Sequence, residues 1–224
     1  MAHQDEHPVA IAVPPDITLA GDLGVPAGAT GLVIFAHGSG SSRLSPRNTY
    51  VAQVLRAGGL ATLLFDLLTP EEDRVYETRF DINLLTQRLI QTTAWTRDQP
   101  ELQYLLTGYF GASTGSAAAL RAAAELGSGI CAVVSRGGRP DLAGDALSRV
   151  QAPTLLIVGG NDDVVIELNR QAQAQLTAEN ALTIVPGATH LFEEPGTLEE
   201  VARLATEWFQ RYLGAASGGE SRAA

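Results

Sequence analysis

Cysteine is almost missing from this chain: Cys131 is alone among 224 residues, so no internal disulfide and no thiolate metal site is expected. Cations are scarce as well. With 15 Lys and Arg against 25 Asp and Glu, the net charge is −10, and such a surface repels phosphate backbones and anionic headgroups. Nucleic acid and membranes are therefore not expected as partners. No apolar run approaches the roughly 20 residues that a membrane-spanning helix needs. The opening MAHQDEHPVA has neither the basic start nor the apolar stretch of a secretory signal, so a cytoplasmic setting is expected.

What is present is an alternation of short β-branched runs with helical patterns. Strands are expected at 9–13, 18–23, 31–36, 60–65, 104–106, 130–134, 154–158 and 182–185. Gly31 to Ala36 (GLVIFA) is continuously apolar, as in a strand buried on both faces of a parallel sheet. Between these runs the period becomes 3.6. Ser45 and Pro46 read as an N-cap with proline at the first helical position. Ile82, Leu85 and Leu89 share one helical face, and Leu168, Ala172 and Leu176 another. In the last helix Thr197 and Glu200 read as a capping box, and Trp208 as core. The expected division is a flexible terminus at 1–8, one domain at 9–214, and a disordered Gly/Ser-rich tail at 215–224. Strand-helix alternation predicts a mostly parallel central sheet with helices on both faces, the α/β class, with the two leading strands antiparallel at one edge.

Tyr104 to Ala119 (YLLTGYFGASTGSAAA) carries the clearest chemical signal: Gly111-Ala112-Ser113-Thr114-Gly115, a Gly-x-Ser-x-Gly between a strand and an alanine-rich helix. A serine at the tip of so sharp a turn is strained, and its neighbours two residues away must lack a Cβ to avoid collision. The plainer alternative is that Ser113 only caps the helix. As a nucleophile, serine needs a base, and the base needs an orienting acid. His190, on a Gly-containing loop after the last expected strand, is the candidate base. Gly160-Asn161-Asp162-Asp163 follows a strand and offers two carboxylates; Asp162 is preferred as the acid, with Asp163 capping the next helix or facing solvent. Oxyanion donors are expected from the backbone N–H groups of Thr114 and Ser39. His37 is expected to brace the His37-Gly38-Ser39 loop, and His37, Gly38 and Arg136 are the candidate substrate-binding positions. Arg136 and Arg139 suit an anionic substrate group, or serve only as solvated loop charges.

From His37-Gly38 through Ser113 and Asp162 to His190, nearly the whole chain resembles an α/β-hydrolase of the dienelactone hydrolase family. The resemblance implies the α/β-hydrolase fold, with Ser113, Asp162 and His190 as nucleophile, acid and base, and no cofactor. There is one departure: dienelactone hydrolases proper carry cysteine at the nucleophile, whereas Cys131 stands apart and reads as core. A general carboxylic-ester hydrolase acting on a small-molecule ester is therefore the expectation. Thioesterase, lactonase and acyltransferase chemistry would use the same residues. Arg136 to Ala152 is too short for a cap domain, which favours small or exposed esters. Two other classes compete. Gly38-Ser39-Gly40 with Asp66 faintly suggests dinucleotide binding, although Arg43 replaces the third glycine. A catalytically silent binding protein on the same fold is the other.

Overall fold

The computed structural model describes residues 6–214 and contains an eight-stranded sheet in the order β1-β2-β4-β3-β5-β6-β7-β8. The strands are β1 (Glu6–Val13), β2 (Ile17–Gly24), β3 (Gly31–Ala36), β4 (Ala61–Phe65), β5 (Leu106–Ala112), β6 (Ala132–Arg136), β7 (Thr154–Gly159) and β8 (Asn180–Val185). β1 and β2 form an antiparallel hairpin that joins β4 antiparallel, and β4, β3, β5, β6, β7 and β8 run parallel. This is the expected mixed sheet. β1 begins three residues earlier than the alternation suggested, so Glu6, His7 and Pro8 pair with Gly24, Leu23 and Asp22 and do not form a free terminus. Residues 1–5 and the expected tail at 215–224 lie outside the described residues.

Helices cover both faces: α1 (Pro46–Ala57), α2 (Pro70–Asp73), α3 (Ile82–Arg97), α4 (Thr114–Leu126), α5 (Asp163–Gln173) and α6 (Thr197–Leu213). Alternation along each central strand sends side chains to two cores. One holds Leu32, Ile34, Tyr109 and Val133 with Leu85 and Leu89 of α3 and the alanines of α4. The other holds Val33, Phe35, Phe110 and Val134 with α1 and α6, including Phe209 and Leu213. Trp208 packs at the edge of the second core and its Nε1 donates to Pro153 O at 3.3 Å. Among the described residues no helix is long and apolar enough to cross a membrane.

Two local readings need correction. β5 starts at Leu106, not Tyr104, and runs on through Gly108 and Gly111; Tyr104 is 88% exposed. The glycines that hide this strand in the sequence are there because neighbours come close: a Cβ on Gly108 would stand 2.8 Å from Phe209 Cε1. The Thr197/Glu200 capping box is not formed either. Gly196, at φ +83°, takes the N-cap position, Thr197 Oγ1 donates backwards to Glu194 O at 2.7 Å, and Glu200 pairs with Arg203 at 2.7 Å. The chain does build a capping box at Thr69 and Glu72, opening α2.

Candidate active site

Ser113 stands alone between the last residue of β5 and the first of α4, with φ +50° and ψ −123°, a region L-residues avoid. Its hydroxyl makes no cap bond to α4, so a plain capping role is not what places a serine here. The turn is tight enough that a Cβ on Gly111 would lie 2.5 Å from Ser116 Cα, and one on Gly115 would collide with Ala36 O. Strain of this kind persists only when the surroundings fix it. The surroundings are the loop after β6: Arg136 O accepts Ser113 N–H at 3.3 Å, and Arg139 N–H donates to Ser113 O at 3.1 Å. That loop is itself tied down. Gly137 N–H bonds Ile157 O at 2.8 Å, and the fully buried Asn169 of α5 donates through Nδ2 to Gly138 O at 3.0 Å.

Asp162 and His190 come together from the ends of β7 and β8, with Asp162 Oδ2 2.7 Å from His190 Nδ1. Asp162 occupies the N-cap position of α5 yet makes no cap bond, because its carboxylate is turned to the imidazole. Asp163 lies in the first turn of α5, exposed, as expected of the carboxylate not used. Bridging the two loops, Asn161 N–H bonds Ala188 O at 2.9 Å and its Nδ2 donates to Gly187 O at 2.9 Å. Glu194 Oε2 accepts the N–H of Thr189 at 3.0 Å, and that bond holds the Glu194 carboxyl below its usual range. Gly137 joins the His190 loop to the Ser113 turn: a Cβ there would be 3.6 Å from His190 Cε1, and the preceding carbonyl is the one that holds Ser113.

The expected oxyanion donors fare unequally. Ser39 N–H is already engaged, donating to Thr114 Oγ1 at 2.9 Å, so the loop does not present two free amides. Gly38 closes on Ser113, where a Cβ would stand 3.0 Å from Ser113 Cβ and 3.7 Å from Oγ. His37 is a brace and not a free substrate contact. Its Nδ1 donates to Gly38 O at 2.9 Å and its Nε2 accepts Leu67 N–H at 3.0 Å, which ties the loop after β3 to the loop after β4. Burial lowers the His37 pKa from its ordinary 6.5. The unfolded chain therefore binds a proton that the folded one refuses, and stability falls as pH drops below about 6.5. A melting series from pH 7.5 to 5.5 should show that decline. It should be shallower in His37→Gln, whose amide can also accept Leu67 N–H; an identical slope would exclude His37 as its source.

Arg136 also departs from expectation. It is buried against α1, donating to Asn48 Oδ1 at 3.0 Å with its guanidinium 6.0 Å over the Phe192 ring, and burial pulls its pKa down to about 10. Arg139 pairs with Asp141 at 2.8 Å. Asp66, the would-be ribose carboxylate, is taken by Arg43, whose backbone N and Nη1 reach it at 2.8 and 2.6 Å. That pairing removes the main support for dinucleotide binding. Cys131 sits just before β6, partly buried against the second core, and burial raises its pKa. The contributions of Asn169 and the Thr114 hydroxyl are not legible in the sequence, because no spacing signals bonds across 31 and 75 positions; that of Glu194, five residues from Thr189, belongs to no regular period.

A cleft of about 130 Å³ opens beside the Gly38-Ser39 loop, lined by His37, Ser41, Asp66, Leu68, Thr69 and Asp73 among others. Between β6 and β7 the chain makes only a bent 3₁₀ stretch over Pro140–Arg149, in keeping with the absence of a cap domain expected there.

No family model matches the chain. It is 60% identical over 210 residues to chains of two Mycobacterium tuberculosis strains that carry the provisional name phosphoribosyl transferase. The alignment takes in 94% of this chain and 47% of each of those, so the chain spans about half the length of the curated relatives it matches. The crystal structure of a dienelactone hydrolase from Anabaena variabilis is 57% identical, with TM-score 0.92 over 94% of this chain and 100% of that one. A Pyrococcus furiosus esterase, 18% identical over 94% of this chain and 92% of its own, shares the fold at TM-score 0.71. With that sheet order, that strained serine turn and an identity of 57% over the full length of a dienelactone hydrolase, the chain belongs to the dienelactone hydrolase family of the α/β-hydrolase fold.

Proposed function

We propose that the protein is a serine hydrolase of small carboxylic esters, working through an acyl-enzyme. The observation that carries this reading is the pairing of His190 Nδ1 with Asp162 Oδ2 at 2.7 Å on loops next to the strained Ser113 turn. Asp162 holds the proton on Nδ1, which leaves Nε2 as the acceptor for the proton of Ser113. Ser113 Oγ attacks the ester carbonyl as His190 takes its proton, and the protonated imidazole then gives that proton to the departing alkoxide. Water, deprotonated by His190, attacks the acyl carbon; the bond from that carbon to Ser113 Oγ breaks, the imidazolium returns its proton to Oγ, and the acid leaves. General-base help of this kind contributes about 10²–10⁴-fold.

The short Pro140–Arg149 connection, which adds no cap domain, supports small or exposed acyl groups. With p-nitrophenyl esters of increasing length, kcat/KM should be highest for acetate to butyrate and fall steadily beyond. A maximum at long acyl chains would contradict the open site. The transferase name of the M. tuberculosis relatives belongs to chains about twice as long as this one.

A further inference from the structure

We infer that the side-chain hydroxyl of Thr114 is a catalytic oxyanion donor, standing where the Ser39 amide would be expected to act; the inference rests on the serine-hydrolase reading above. Ser39 N–H points at Thr114 Oγ1, 2.9 Å away, and is spent on it. A hydroxyl that accepts one hydrogen bond still has its own proton to donate. Threonine in a helix ordinarily gives that proton to the carbonyl one turn earlier. Thr114 is the first residue of α4, and the residue four before it, Phe110, lies in β5, so that outlet is closed. Thr114 is 4% exposed, and among the described residues its hydroxyl accepts from Ser39 N–H but donates to no protein acceptor.

The position suits the task. Thr114 follows the nucleophile directly, its backbone N–H is at the N-terminal end of a 13-residue helix, and Gly38 presses the Ser39 loop against Ser113. As Ser113 Oγ bonds to the carbonyl carbon, the carbonyl π pair moves onto oxygen. The Thr114 N–H and the Thr114 O–H then both donate to that oxygen. The Ser39 N–H holds Oγ1 from behind and makes its proton a better donor, as hydrogen bonds in a chain polarise one another. The threonine proton is not transferred; when the tetrahedral intermediate collapses, the electron pair returns to the C=O.

The test is steady-state hydrolysis of p-nitrophenyl acetate by Thr114→Ala and Thr114→Ser, with the active fraction of each counted by fluorophosphonate labelling of Ser113. Loss of one oxyanion donor costs about 10²–10³-fold, so kcat per labelled site should fall by about that factor in Thr114→Ala, with KM within roughly threefold. Thr114→Ser, which keeps the hydroxyl, should recover most of the rate. A purely structural role would lower the labelled fraction and leave kcat per labelled site unchanged, which would overturn the inference. So would a Thr114→Ala enzyme as fast as the parent or faster, the result expected if the freed Ser39 amide is the working donor. If hydrolysis continues unchanged in Ser113→Ala, the serine-hydrolase reading falls and this one with it.

Discussion

Ser113→Ala is expected to lose about 10⁶-fold in kcat toward p-nitrophenyl acetate, the scale on which removing a triad nucleophile acts. It should also lose all fluorophosphonate labelling. The fold should survive, because the hydroxyl makes no cap bond and the turn is held through the backbone N–H and C=O of residue 113. A companion variant separates the two roles of this position. At φ +50° any Cβ is strained, by about 1–3 kcal/mol for such conformations, whereas glycine is at ease there. Ser113→Gly should therefore be as inactive as the alanine variant yet melt at a higher temperature than it. Appreciable turnover in either variant would remove Ser113 from the mechanism. A glycine variant melting below the alanine one would mean that the turn is not under strain.

Asp162→Asn is expected to lower kcat by about 10⁴-fold, as replacing a triad aspartate does elsewhere. The carboxylate accepts the His190 Nδ1 proton at 2.7 Å; an amide can present its NH₂ there instead, which favours the imidazole tautomer whose Nε2 already carries a proton and cannot take one from Ser113. Asp163→Asn is the control. That side chain is exposed in the first turn of α5, and its neutralisation should change kcat by less than about twofold, in line with surface charges away from a specific partner. Interchanged results would move the acid to Asp163.

Much of this was readable because it is local. The Gly-x-Ser-x-Gly turn declares itself through residues two apart, the strand order of serine, acid and base follows the chain, and eight apolar runs correspond to eight strands. What escaped reading depends on contacts between distant residues. Gly108 and Gly111 look like loop residues and hide the course of β5, and only the approach of Phe209 and α4 explains them. The bond that occupies the Ser39 amide reaches Thr114, 75 positions away, and leaves no periodic trace in the sequence. Arg136 looked like a rim charge, yet β6 directs it into the core beneath Phe192. Asp66 had the position of a ribose ligand and turned out to be paired with Arg43, 23 residues before it.

The loop after β6 has a consequence for engineering. This connection is a natural place to graft a cap that would select among substrates, but its first four residues grip Ser113 from both sides, through Arg136 O and Arg139 N. An insert placed there would release the serine it was meant to shelter. The permissive point is further along, at Gly144, where the chain already kinks with φ +57° and a Cβ would meet nothing within 4 Å. A new domain spliced at that position would leave both grips on the Ser113 turn intact.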